Sequence, residues 1–122
     1  MFRFRTLVVI AALAGLAAFA LTSSAGAAAP IRLVGTVGPG FTITLKKAAR
    51  PVRLVKAGRY SITVADKSSI HNFHLKGPGV NKEITTVGFV GTKTVIVALK
   101  KGTYTFVCDP HSTSMKGSFK VS

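Results

Sequence analysis

The sequence predicts a small all-β domain, an antiparallel β-sandwich, behind a short apolar leader. Three observations carry that expectation. From Pro30 onward, runs rich in β-branched and aromatic residues recur at roughly 8–12-residue spacing. Clusters of Gly, Pro, Asn and Lys separate them as turns. Nothing after Pro30 sustains a helical period, an internal repeat or a low-complexity tract. At 122 residues the chain has room for one such domain.

The leader comes first. Arg3 and Arg5 precede an uncharged apolar run from Leu7 to Leu21, followed by small residues. This is the pattern of an export signal, and Ala25-Gly26-Ala27 fits the small-residue cleavage site. The run is shorter than the ~20 apolar residues of a usual transmembrane span. Residues 1–27 are therefore read as an amino-terminal signal helix with its cleavage site, an uncleaved anchor being the alternative, and residues 28–122 as the exported domain. Its destination is the periplasm, the cell surface or the medium. The cleavage region lacks a cysteine, which excludes a lipid anchor at that point.

The strands follow in order: IRLVGTV, FTITLK, RYSITVAD, IHNFHLKG, EITTVGFVG, TKTVIVAL, GTYTFVC and GSFKVS. Side chains alternate faces along a strand, so Tyr60, Ile62 and Val64 share a core face opposite Ser61 and Thr63. Between them lie turns at 38–40 (GPG), 56–58 (KAG), 77–81 (GPGVN) and 100–102 (KKG). The run KKAARPVRLVKAGR at 46–59 reads as a solvated basic face.

Charge narrows the partners. Seventeen Lys and Arg stand against three acidic residues, Asp66, Glu83 and Asp109, for a formal net charge of +14. Such a field favours anionic partners. Export and the lack of an aromatic-interleaved basic motif argue against nucleic acid. Acidic proteins, an anionic membrane or charged envelope polymers remain.

The chemistry concentrates at 104–117, YTFVCDPHSTSMKG, which holds the only cysteine and the only methionine beyond Met1. A lone cysteine in an oxidising compartment is a dimer partner, a free thiol or a metal ligand. By strand parity Tyr104, Phe106 and Cys108 share the core face, and the loop after them brings round His111 and Met115, with Pro110 stiffening it. In IHNFHLKG the same parity puts His71, Phe73 and Leu75 inward and Ile70, Asn72 and His74 outward. One thiolate, two imidazoles and a thioether form a soft donor set suited to copper. Structural zinc prefers several cysteines, and hard cations need oxygen cages that three carboxylates hardly provide.

These residues resemble a known family. HN in a strand, then GTYTF-C-x₂-H-x₃-M and KGSFKV, is similar to the cupredoxins, the small type 1 blue copper proteins such as plastocyanin, amicyanin and pseudoazurin. The resemblance implies a Greek-key sandwich binding one copper, with His71, Cys108, His111 and Met115 as ligands. It also gives Asn72 a supporting role, pinning the ligand loop. Three residues separate His111 from Met115, against four in the plastocyanin pattern and two in the amicyanin pattern.

The function expected is one-electron transfer, by a monomer, between redox partner proteins with acidic docking surfaces. Pro110 and the GPG turns at 77–79 and 38–40 would form an apolar rim around His111. The alternative is a protein that delivers or buffers copper, although such carriers tend to cluster Met or pair Cys. A binding sandwich whose basic face alone matters is a second alternative. An enzyme is not expected, because three histidines and one cysteine leave nothing over for a substrate site.

Overall fold

Alternating burial shows why the chain after Pro30 folds as two layers. In the strand Gly58–Asp66, Tyr60, Ile62, Val64 and Asp66 are buried while the residues between them stay partly in water. That pattern demands a second sheet on the apolar face. The computed structural model describes residue 15, residues 17–21, residue 26 and residues 28–122. The expected signal helix falls mainly outside those residues. Among the described residues no helix is long and apolar enough to cross a membrane.

The strands are β1 (Ile31–Val37), β2 (Ile43–Lys47), β3 (Arg50–Pro51), β4 (Leu54–Val55), β5 (Gly58–Asp66), β6 (Phe73–Gly77), β7 (Val80–Thr85), β8 (Gly91–Leu99), β9 (Gly102–Val107) and β10 (Lys116–Val121). One sheet runs β3-β2-β1-β5-β8 and the other β4-β10-β9-β6-β7. Most neighbours are antiparallel, as expected, but β1 pairs with β5 and β4 with β10 in parallel. The sheets are therefore mixed. The reason lies in the basic run at 46–59, which is more than a solvated face. It turns back on β2 as β3, crosses to the second sheet as β4 with Val52 and Val55 buried, and returns as β5. A crossover of that length is what a parallel pair requires.

Two other expectations shift. β6 begins at Phe73, so His71 and Asn72 precede the strand, free of its alternation, and both are buried. Asn72 therefore does not point outward. The stretch expected as a strand over residues 83–91 pairs only as far as Thr85 and then becomes a loop, with Gly88 at φ 94°.

Large side chains fill the space between sheets. Phe73 stacks on Phe106 at 5.7 Å between centroids, and Tyr104 on Phe119 at 5.5 Å. Each such ring contributes about 1.5–3 kcal/mol by leaving water. Three glycines make room for them. A Cβ on Gly117 would collide with the Phe106 ring, one on Gly77 with the Tyr104 ring, and one on Gly35 would lie 2.8 Å from Phe73. Among the described residues every strand partner and every core residue lies between Ile31 and Val121. Residues 28–122 therefore hold the two-sheet sandwich.

The register defines two ends. Val37, Ile43, Asp66 and Gly91 finish the first sheet at one end, next to the β9–β10 loop. Ile31, Lys47, Leu54, Val55, Lys56 and Tyr60 meet at the other. The Gly77-Pro78-Gly79 turn also lies at this second end, where the Pro78 carbonyl accepts from the Tyr104 hydroxyl and the ring abuts Gly102. That removes it from any rim around His111.

Candidate metal centre

The site is built where β9 ends. Cys108 continues the inward parity of Tyr104 and Phe106 and is fully buried. A 3-10 turn over Asp109–His111, with Pro110 in its first turn, then brings the chain back over the cysteine. The loop closes on itself through backbone bonds: Cys108 N donates to Met115 O at 3.0 Å, and Met115 N to His111 O at 2.8 Å. The three-residue spacing between His111 and Met115 is thus a single closed turn, and it delivers Met115 buried beside Cys108.

The second contribution comes from the β5–β6 loop. His71 is fully buried, with its Cδ2 3.5 Å from where a Cβ on Gly38 would stand. Its Nδ1 lies 3.1 Å from His111 Nδ1 and 3.6 Å from Cys108 Sγ, and Cys108 Sγ lies 3.5 Å from His111 Nδ1. These three sides define a nearly regular triangle. A point equidistant from its corners lies about 2.0 Å from each, the length of a transition metal–imidazole bond at ~2.0–2.1 Å. Two facing ring nitrogens and a sulfur gain little from one another as hydrogen-bonding groups, since at most one proton can serve each contact. As donors to one ion they fit.

Two polar residues hold the two loops together. Asn72 uses both ends of its amide: Nδ2 donates to Asp109 Oδ2 and Oδ1 accepts from Asp109 N, each at 2.7 Å. The pinning role the resemblance implied for Asn72 is therefore visible, joining the residue after His71 to the residue after Cys108. His74 is not a free surface residue. It is half-buried, with Nδ1 2.8 Å from Asp109 Oδ2 and Nε2 2.6 Å from Asn81 Oδ1. It lies outside the triangle. Burial raises the Asp109 carboxyl, but the hydrogen bonds from Asn72 and His74 and the charges of His74 and Lys76 outweigh it, holding the pKa below the ordinary value.

One residue of the site went unrecognised in the sequence. Phe41 sets its ring edge-to-face against both imidazoles, 5.2 Å from His71 and 4.9 Å from His111, while remaining 61% exposed. It follows the GPG at 38–40, which does lie at this end as expected. An aromatic beside a turn has no periodic signal to mark it.

A family model described as copper binding proteins of the plastocyanin/azurin family matches residues 43–122. Among solved structures, rusticyanin from Thiobacillus ferrooxidans aligns at 23% identity and a TM-score of 0.55, over 75% of this chain and 76% of that one. Reduced rusticyanin aligns at 25% identity and the same TM-score, over 75% and 78%. A structure described as the copper protein rusticyanin matches at 22% identity, also with a TM-score of 0.55, over 75% and 76%. No curated protein matches the chain. The two-sheet architecture and the matched span together place this chain in the plastocyanin/azurin family of copper-binding proteins, the cupredoxins.

Proposed function

We propose that this protein is an exported one-electron carrier, in which His71, Cys108, His111 and Met115 would hold a copper ion. The observation that carries the reading is the donor triangle, whose centre stands one bond length from two ring nitrogens and a sulfur. Copper held there would supply a reversible Cu(II)/Cu(I) couple. The chain's contribution is rigidity. Cys108 and His71 sit in a packed core, and Asn72 and Asp109 lock their loops together, so donor positions are fixed before and after an electron passes. Small nuclear rearrangement keeps the barrier to transfer low.

His111 is the half-buried member of the triangle and the proposed route for the electron. Around it Phe41, Ile70, Val87, Val90 and Pro110 are exposed, the two loops beyond β5 and β7 being joined by Gly88 N donating to Ser69 O. This apolar patch, in place of the rim expected from the GPG at 77–79, suits brief docking over a small area. The basic run at 46–59 lies at the opposite end and does not steer partners to it. Lys67 and Lys93 are among the cations near the patch, and acidic groups on a redox partner would meet them.

Delivery or buffering of copper fits less well, because an incoming donor must reach the ion and Cys108 and Met115 are shut away. No substrate conversion is proposed. Chelator competition separates the readings. Copper loaded into residues 28–122 should leave for a competing chelator over hours while the site cycles reversibly between oxidation states. Release within seconds, without loss of fold, would support delivery and contradict the electron-carrier reading.

A further inference from the structure

The molecule is strongly polarised, and the polarity points away from the copper end. Lys46, Lys47, Arg50, Arg53, Lys56 and Arg59 come together where β2 ends, β3 and β4 cross between the sheets, and β5 begins. Lys100 and Lys101 join them in the turn from β8 to β9. All are exposed, and among the described residues none is in an ion pair. The three acidic side chains lie toward the other end. Asp66 closes β5 beside the metal loops, and Glu83 and Asp109 bring a carboxylate oxygen each to within 4.8 Å of one another and of a His74 nitrogen.

The basic end is also apolar at its centre. Leu54 is 66% exposed between Arg53 and the buried Val55, and Ile31 is exposed nearby. A shallow cavity of about 330 Å³ lies there, lined by Ile31, Leu54, Val55, Tyr60 and the stems of Lys47 and Lys56, with Ser122 at its edge. Exposed apolar side chains ringed by cations are what a surface needs to sit at a lipid interface. The stems lie along the apolar boundary and the charges reach headgroup phosphates. The chain enters the domain at this same end. Nine residues separate the apolar run ending at Leu21 from Ile31, a reach of at most about 35 Å. A leader retained on the chain would hold this end, and not the copper end, against a bilayer.

We propose that the basic end is a membrane-docking face for anionic phospholipid, which seats the domain with His111 and its apolar patch turned outward to soluble partners. The occupant is a bilayer surface because the cations spread over strands, turns and both sheets, around apolar tips, instead of converging on one small anion. The two contacts then use opposite ends of the sandwich and do not compete.

The test uses residues 28–122 and sedimentation with vesicles of phosphatidylcholine, with and without phosphatidylglycerol. Binding is expected only with phosphatidylglycerol, and it should weaken as salt rises. Each cation removed should lower affinity about fivefold, so the combined Lys46→Glu, Lys47→Glu, Arg53→Glu and Lys56→Glu variant should lose binding at least a hundredfold. Its copper spectrum should match the unaltered domain. If the reversed set fails to fold, by near-ultraviolet circular dichroism, the same four changed to alanine make the test. Lys67→Glu with Lys93→Glu, near the copper end, should leave vesicle binding within about twofold. Equal binding to neutral vesicles, equal loss from the copper-end pair, or binding to a soluble anionic polymer but not to anionic vesicles would each overturn the proposal.

Discussion

The two ends of this sandwich are tied down in opposite ways. At the copper end named side-chain hydrogen bonds tie the two donor loops to each other. Asn72 spends both halves of its amide on Asp109, His74 bridges Asp109 and Asn81, and the ligand loop closes through Cys108 and Met115. At the basic end the cations have no ionic partner among the described residues, and the hydrogen bonds there run through backbone groups and the Tyr60 and Tyr104 hydroxyls, with none from a Lys or Arg side chain. One end is preorganised around a single atom. The other is left open to a surface that can adapt to it. A site that must hold geometry within a fraction of an ångström needs the first kind of construction, and a diffuse electrostatic contact does not.

The contrast can be broken by removing a donor. His71→Ala takes away one corner of the triangle from a buried position, and copper affinity should fall by more than about 100-fold, beyond the 10–100-fold typical of residues supporting a ligand. Equilibrium titration against a chelator reads it. The same change should leave vesicle binding at the basic end untouched. Asn72→Ala tests the lock between the loops. It removes two hydrogen bonds, one to a carboxylate, and should cost about 2 kcal/mol in denaturant unfolding and about tenfold in copper affinity. If only stability changed, Asn72 would be a fold residue and nothing more. Gly117→Ala lies between the two ends. Its methyl would meet the Phe106 ring behind Cys108, so a loss of about 1–3 kcal/mol is expected, with little change in the copper spectrum.

Acid sharpens the comparison further. Asp109 has a folded pKa below its ordinary value, so its contribution to stability is present above the unfolded carboxylate pKa, about 4, and is lost as pH falls through the lower folded value. Its side chain is 40% exposed, so the effect is small. Unfolding midpoints for the parent and for Asp109→Asn should converge as pH falls below the ordinary carboxylate range and separate above it. The smallest effect is expected from His74→Ala. That residue orients Asp109 from outside the triangle, and the visible copper spectrum should not move.

Much of this is legible in the sequence. Alternation marked the core faces of β5 and β9, and it aimed Cys108 inward because Tyr104 and Phe106 had already declared the face. The gathering of sulfur, imidazole and thioether in one loop named the chemistry. What escaped had a physical reason each time. Two alanines with positive φ, Ala48 and Ala49, make the turn between β2 and β3 without the Asn-Gly signal that usually marks one. β3 and β4 are two residues long and carry Arg, Pro and Leu, so no alternation could reveal them. Strand parity points Asn72 outward, but the rule does not reach it, since the strand starts one residue later. Phe41 gains its role only through tertiary contact, from a loop far away in sequence. Which end each lysine occupies depends on the crossover, which no local pattern encodes.

The central claim rests on a thiolate, two ring nitrogens and one ion, and the absorption spectrum tests it most directly. Residues 28–122 loaded with Cu(II) should show an intense visible thiolate-to-copper band that disappears in Cys108→Ser. Bound copper without that band, or a band that survives the serine substitution, would contradict the account.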